Sequence, residues 1–274
     1  MRAEFCTDAR SLRLLVDRVG DASGYVDVVV DGHLARRVRL GRGPGVVECR
    51  LPGVLADVQL WLPQVGITRV GRLVLTGAKV LTSSPARGRR WVAYGSSITQ
   101  CCEADGPSET WPSLLAAQAG WDLVSLGFSG ECFLDEVVAL TIRRLEPHIV
   151  TICAGINVYN AGTWSAATLA ARLRRFLDVA RGSSHTSRIH VVSPVISPSR
   201  ESVRNQSGLT LVEVRDTICD VVTAMPDARV TYVDGRDVLG HDDAHLLLDG
   251  LHPTAEGYAL MARRLIAVLD RASC

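Results

Sequence analysis

The feature that most restricts the fold is a change in the rhythm of hydrophobic residues near residue 90. Beyond this point, short apolar segments alternate with longer amphipathic ones. Such alternation predicts a parallel sheet covered by helices on both faces, and ligands bind beyond the carboxyl ends of the strands in sheets of this type. The predicted strands are 91–94, 122–126, 149–153, 188–193 and 229–233. The predicted helices include 165–181, 209–224 and 254–272.

The first 85 residues follow a different pattern, in which apolar residues tend to recur at every second position. A hairpin-type turn at Asp31-Gly32 separates two of these segments, and no stretch shows a helical stripe. Short strands separated by glycine and proline predict a small jelly-roll-like β-sandwich over residues 1–85. Residues 83–90 then form a predicted linker to a second domain over 90–274. The clearest strand candidates are 25–30, 34–40, 58–62 and 72–75.

Charge and composition argue against several functional classes. The formal net charge is only +1, so neither nucleic acid nor an anionic membrane is expected as a partner. The N-terminus lacks the apolar stretch of a secretory signal, and no uncharged apolar run is long enough to span a bilayer. The eight cysteines show no CxxC spacing and are expected to be reduced thiols. A cytoplasmic location is therefore the expectation.

Two short motifs carry the chemistry. Ser97 lies in a small-residue turn directly after the predicted strand 91–94, where a side chain would reach the carboxyl edge of the sheet. Asp249 and His252 stand three residues apart just before the last predicted helix. A histidine so placed can direct one ring nitrogen to the carboxylate and use the other to take a proton from a serine. The two motifs are the halves of an activated nucleophile.

The order of these motifs resembles that of the SGNH (GDSL-type) hydrolase superfamily, whose sequence blocks contribute serine, glycine, asparagine and histidine in turn. The resemblance implies that Ser97 is the nucleophile, His252 its base and Asp249 the residue that orients the base. It also implies an oxyanion hole formed by the backbone N–H groups of Ser97 and Gly130 and the side-chain amide of Asn157. All four blocks occur in the family order, each beside a predicted strand or helix. They are residues 95–99, 126–130, 155–157 and 249–252.

The resemblance implies a fold as well as an activity. The expected catalytic domain is a three-layer αβα, flavodoxin-like unit with a parallel five-stranded sheet, preceded by the all-β sandwich of a two-domain branch. No cofactor or metal is implied, and the expected substrate is a small-molecule ester or thioester. Two positions depart from the family pattern, since Ser96 and Val158 replace the usual aspartates. Both changes leave the nucleophile, base and oxyanion donors in place.

The sequence leaves three functions open. The first is hydrolysis of a carboxylic ester, such as an acylated metabolite or sugar, through an acyl intermediate on Ser97. The second is an acyltransferase that moves an acyl group from an ester or thioester donor to a natural-product alcohol with the same residues. The third is a non-catalytic binding protein on the same fold, which the intact motifs argue against. The oligomeric state and the role of the β-region stay open.

Further residues near the motifs are candidates with two interpretations each. Gln100 is expected to lie in a substrate pocket, and Cys101 is expected to line or support that pocket. Trp111 and Phe128 could contact an acyl chain or pack in the core. Cys101 and its neighbour Cys102 could also form a vicinal disulfide or supply a nucleophile, which we consider the weaker interpretation. The polar run 241–245 could hold a metal, although a solvated loop is favoured because its ligands are crowded on one segment.

Overall fold

A computed structural model describes residues 1–19, 24–85, 87–182 and 186–271 of the chain. The chain divides into two units. The first comprises Met1–Ala86 together with Ala104–Ser113, and the second comprises Arg87–Glu103 and Leu114–Cys274. Residue 86 of the predicted linker and Cys274 lie outside the described residues.

The first unit is a sandwich of two antiparallel sheets. A five-stranded sheet has the order β4-β3-β6-β1-β8, and a three-stranded sheet has the order β5-β2-β7. The core between them takes residues from both sheets, including Val26 and Val58 of the larger and Leu12 and Val47 of the smaller. The predicted β-sandwich is therefore confirmed. The strands are β1 (Arg2–Thr7), β2 (Ser11–Val19), β3 (Gly24–Val30), β4 (His33–Leu40), β5 (Gly43–Arg50), β6 (Ala56–Trp61), β7 (Ile67–Thr76) and β8 (Leu81–Ser83).

Polar contacts explain why the segment Ala104–Ser113 belongs to the first unit. The buried carboxylate of Asp27 pairs with Arg37 at 2.7 Å and accepts hydrogen bonds from the backbone N–H and hydroxyl of Ser108, at 3.0 and 2.7 Å. Arg37 also pairs with Glu109 at 2.7 Å. This segment lies within the range 90–274 that the sequence assigned to the second domain, so a boundary at a single position does not describe the chain.

The second unit is built on a parallel five-stranded sheet. Its strand order is β10-β9-β11-β12-β13, in which the second strand along the chain lies outside the first. This is the flavodoxin-like order, and it reverses between β9 and β11, where ligands of such sheets bind. The five strands agree with the predicted ones to within one residue at each end. They are β9 (Arg90–Gly95), β10 (Asp122–Gly127), β11 (Ile149–Cys153), β12 (Arg188–Val192) and β13 (Val230–Val233).

Helices cover both faces of this sheet, as predicted. One face packs Tyr94 and Ile152 against apolar side chains of α3, α5 and α6. On the other face Trp91 and Ala93 are also fully buried, and α8 buries Met261 and other apolar side chains. The helices, of which the last three long ones follow the predicted ranges, are α1 (Ser97–Gln100), α2 (Trp111–Ala119), α3 (Glu136–Arg144), α4 (Ile156–Ala161), α5 (Ala166–Arg181), α6 (Leu211–Thr223), α7 (Gly235–Val238) and α8 (Ala255–Arg271).

Among the described residues, none of the helices combines the length and the apolar character needed to cross a bilayer. The seven described cysteines are all free thiols.

Candidate active site

The turn that carries Ser97 is fixed by its neighbours. Ser97 is the first residue of α1, directly beyond β9. The side chain of Ser96 caps this helix by accepting a hydrogen bond from the N–H of Ile98 at 3.3 Å. A Cβ on Gly95 would approach the Thr99 hydroxyl to within 2.2 Å, so only glycine allows the strand to turn this tightly into the helix.

The loop before α8 presents Asp249 and His252. One carboxylate oxygen of Asp249 accepts the backbone N–H groups of His252 at 2.7 Å and of Leu251 at 3.0 Å. The other accepts from Nδ1 of the His252 ring at 2.8 Å. These hydrogen bonds, the backbone one from His252 first, lower the pKa of Asp249 to about 2, so this carboxylate is ionised at neutral pH.

The two motifs meet across 155 residues of sequence. The Ser97 hydroxyl lies 2.9 Å from Nε2 of His252. Because Nδ1 faces the Asp249 carboxylate, the proton of a neutral ring belongs on Nδ1, and Nε2 is left as the acceptor for the serine proton. The arrangement can generate a serine nucleophile.

The other two residues expected at the site, Asn157 and Gly130, follow the strands on either side of β9. Asn157 follows β11 in α4 and is mostly buried, and its side-chain oxygen accepts the N–H of Cys132 at 3.0 Å. That bond fixes the orientation of the amide, whose NH₂ group has no partner in the described part of the chain. Gly130 lies beyond β10 with φ of +76° and is exposed, and a side chain there would meet no atom within 4 Å. The oxyanion roles of both residues stay predictions.

Gln100 supports the loop that carries Gly130. Its side-chain oxygen accepts the N–H of Ser129 at 2.9 Å, one residue before that glycine. The loop also packs closely on α1, since a Cβ on Gly127 would come within 2.4 Å of the Gln100 nitrogen. Gln100 thus joins the helix that carries Ser97 to the loop after β10, and its place in a substrate pocket stays a prediction.

The other pocket candidates divide by exposure. Cys101 is fully buried and its thiol donates to the carbonyl of Ile98 at 3.1 Å, so it supports α1 and does not line a pocket. Trp111 is also fully buried, which corresponds to the core-packing alternative. Phe128 is 39% exposed, two residues before Gly130, and stays a candidate for substrate contact.

Cysteine chemistry does not compete with the serine. Cys101 and Cys102 are both free, so the vicinal disulfide is absent here. Burial, reinforced by the nearby charge of Glu103, raises the pKa of Cys102 to about 11. A thiol with such a pKa is protonated and weakly nucleophilic at neutral pH.

The two departures from the family pattern have structural explanations. Ser96 supplies the same kind of capping oxygen that an aspartate would supply. Val158 is 1% exposed and belongs to the main apolar core of the second unit. An aspartate in that position would place an uncompensated charge in the core, so valine suits this particular chain.

The polar run at residues 241–245 is used structurally. It lies in a 3-10 helix, His241–Leu246. Asp243 forms an ion pair with Arg264 at 2.5 Å, and the His245 ring contacts the carbonyl of Asp242 at 2.9 Å. In the described ranges no group of three or more potential ligands is placed to hold a metal ion.

Sequence reasoning missed Ser197, which lies beyond β12. Its hydroxyl donates to the carbonyl of Gly250 at 2.7 Å, inside the loop that carries Asp249 and His252. The surrounding segment alternates serine and proline with apolar residues such as Val195 and Ile196, and this pattern does not indicate the contact.

Comparisons with known proteins identify the family and the fold. The model of the GDSL-like Lipase/Acylhydrolase family matches residues 93–260. A salicylyl-acyltransferase, SsfX3, from a tetracycline biosynthetic pathway has a similar structure, with a TM-score of 0.88 and 27% identity over 97% of this chain and 82% of that one. No curated protein matches the chain significantly.

Two esterases show the same fold at lower identity. A family two carbohydrate esterase from Clostridium thermocellum, solved with cellohexaose, has a TM-score of 0.79 and 15% identity over 98% of this chain and 91% of that one. A family two carbohydrate esterase from Cellvibrio japonicus has a TM-score of 0.75 and 17% identity over 99% and 88%.

Proposed function

Because the chain belongs to the GDSL-like lipase/acylhydrolase family, we propose that it hydrolyses a carboxylic ester of a small acylated metabolite or sugar through an acyl intermediate on Ser97. The observation that carries the proposal is the pair of contacts at His252, 2.9 Å from the Ser97 hydroxyl and 2.8 Å from the Asp249 carboxylate. We assign catalysis to residues 90–274 and an accessory role to residues 1–85. The free cysteines favour a reducing, cytoplasmic setting.

The proposed reaction has two steps. His252 takes the Ser97 proton on Nε2 as the serine oxygen attacks the ester carbonyl, and Asp249 stabilises the resulting imidazolium. The imidazolium then gives that proton to the departing alcohol, which leaves the acyl group on Ser97. In the second step His252 takes a proton from water as it attacks, and the proton returns to Ser97 when the carboxylic acid is released.

Negative charge develops on the carbonyl oxygen in both steps. We assign its stabilisation to the N–H groups of Ser97 and Gly130 and to the Asn157 amide. Each donor of this kind is worth about 3 kcal/mol in the transition state. The Cys132 N–H supports this role because it occupies the Asn157 oxygen and turns the NH₂ group away from itself.

Acyl transfer to an alcohol is the second candidate. It is favoured by the 27% identity with the salicylyl-acyltransferase, which is higher than that with either carbohydrate esterase. The chemistry differs only in the acceptor of the second step. Incubation with an acyl donor and a panel of alcohols distinguishes hydrolysis from transfer, because hydrolysis gives the free carboxylic acid and transfer gives a new ester of the alcohol.

The proposal is tested by intact-mass spectrometry after exposure to p-nitrophenyl esters. We expect an acyl adduct on Ser97 in the wild type and none in Ser97→Ala, with hydrolysis lost in parallel. Ser125→Ala is the matched control, because Ser125 is an exposed strand serine outside the site. Unchanged hydrolysis in Ser97→Ala would show that the nucleophile is assigned wrongly.

A further inference from the structure

Ser197 connects the histidine loop to the rest of the α/β unit. It is fully buried, and its hydroxyl donates to the carbonyl of Gly250 at 2.7 Å. Gly250 has a φ of +74° and lies between Asp249 and His252, so this bond acts on the turn that sets their separation. The same turn is otherwise held mainly by hydrogen bonds to the carboxylate of Asp249 itself.

The Ser197 hydroxyl also receives a hydrogen bond. Nη1 of Arg200 donates to it at 3.0 Å, while Nε of Arg200 donates to the side-chain oxygen of Asn160 at 3.0 Å. Asn160 stands three residues after Asn157 on α4, and residues at this spacing are neighbours on one helix face. Ser197 and Arg200 therefore link the loop of the proposed base to the helix of the proposed oxyanion donor.

The segment that carries Ser197 is itself anchored by an ion pair whose arginine is buried and whose glutamate is partly exposed. Arg215 of α6 is 1% exposed and grips both carboxylate oxygens of Glu201 at 2.6 and 2.7 Å, and it donates to the carbonyls of Pro194 and Val195. One oxygen of Glu201 also accepts the N–H of Ser197 at 3.0 Å. Buried pairs of this kind add little net stability but can select one conformation, and here that conformation is the loop beyond β12.

From these contacts we propose that Ser197 is a positioning residue that holds His252 and Asn157 in one catalytic geometry, with Arg200 as its link to α4. The proposal rests on the proposed function. Ser197 touches neither substrate nor the reacting atoms and acts through the carbonyl of Gly250. Loss of this hydrogen bond is expected to lower the rate through the alignment of His252, because a misplacement of about 1 Å can lower a rate about 100-fold.

The test uses Ser197→Ala in the full chain, with Ser202→Ala as the matched control because Ser202 is exposed on the same segment. We expect kcat for p-nitrophenyl ester hydrolysis to fall about tenfold, equivalent to about 1.4 kcal/mol, with KM within twofold of the wild type. Thermal unfolding is measured for both variants, so that a loss of folded protein is distinguished from a loss of catalytic rate. Ser202→Ala should match the wild type in all three quantities.

A second readout does not depend on substrate. We expect the proton between Nδ1 of His252 and Asp249 to give a low-field NMR resonance, because the two groups lie 2.8 Å apart. This resonance should shift or broaden in Ser197→Ala and persist unchanged in Ser202→Ala. Arg200→Ala should lower kcat without moving this resonance, and the double variant should lose less than the sum of the single losses because both residues act through one link.

The outcomes separate the positioning proposal from the proposed function. An unchanged resonance in Ser197→Ala, together with a kcat that falls no further than the folded fraction, would overturn the positioning role. If the wild type forms no acyl adduct on Ser97, the proposed function fails, while the resonance still reports whether Ser197 holds the histidine loop.

Discussion

Replacing Asn157 tests two roles of its side-chain amide, namely the proposed donation to the oxyanion and the acceptance of a hydrogen bond from the Cys132 N–H. In Asn157→Ala the proposed oxyanion donor is lost, and removal of one such donor typically lowers kcat roughly 100- to 1,000-fold, or about 3 to 4 kcal/mol. The variant also removes the acceptor of the Cys132 N–H, which is 3.0 Å from the Asn157 oxygen. A buried N–H left without a partner costs about 1 to 3 kcal/mol of folding free energy.

These magnitudes define the assay. Steady-state hydrolysis of a p-nitrophenyl ester gives kcat and KM, and thermal unfolding of the same preparation gives the loss of stability, at about 2–4 °C for each kcal/mol in a domain of this size. KM should change little, because the donor acts mainly on charge that develops in the transition state. In Asn157→Asp the activity should fall at least as far, since a carboxylate repels the oxyanion.

A double variant provides the control for Asn157. Ser97→Ala with Asn157→Ala should be no slower than Ser97→Ala alone by more than a few-fold if both residues serve one transition state, because such effects are far from additive. The reasoning is refuted if Asn157→Ala keeps kcat within fivefold of the wild type while its folded fraction is intact, since the amide would then not face the developing charge.

Two further perturbations test the loop after β10 and the pH dependence of stability. Gly127→Ala should lower both activity and melting temperature far more than Gly130→Ala, because a Cβ at position 127 would lie 2.4 Å from the Gln100 nitrogen. At Gly130 only the positive φ disfavours a side chain, at a cost of about 1–2 kcal/mol. Similar melting temperatures for the two variants would contradict this prediction. Burial, with a smaller effect of Arg188, lowers the pKa of His190 to about 4, so the unfolded chain binds its proton first. The contribution of neutral His190 to the free energy of unfolding is therefore complete above the unfolded pKa of about 6.5. It is lost as the pH falls towards 4, by at most about 3 kcal/mol. Urea unfolding at pH 7 and pH 5 should show a smaller acid loss in His190→Asn than in the wild type, and parallel losses would contradict the assignment.

Much of the α/β unit could be predicted because its strands are short and mainly apolar, and the central strands β9 and β11 are buried on both faces. The β-sandwich was harder to delimit. In β2 the inward positions Leu12, Leu14 and Val16 alternate as expected, but Leu15 and Val19 are also apolar and point outward, 41% and 40% exposed, so the strand has no clean period. β5 begins with a Gly-Pro-Gly run that suggests a turn instead of a strand.

The residues of the candidate site also differ in how readily the sequence predicts them. Residues that belong to sequence blocks, such as Ser97 and His252, are recognisable because each block is local. The supporting contacts are not local: Gln100 reaches an N–H 29 residues away, and Ser197 a carbonyl 53 residues away. Neither contact leaves a periodic or spacing signal, so only coordinates reveal it.

The distance along the chain between Ser97 and His252 has a consequence during synthesis. On a translating ribosome the serine, its helix and the loop after β10 leave the exit tunnel long before the histidine does. The hydroxyl of Ser97 in the nascent polypeptide therefore lacks its proposed proton acceptor, His252, until the final helix packs against the rest of the unit. That docking includes a hydrogen bond from the Tyr258 hydroxyl to Glu103 at 2.8 Å, just past the nucleophile turn. We therefore expect incomplete or prematurely terminated chains not to hydrolyse esters.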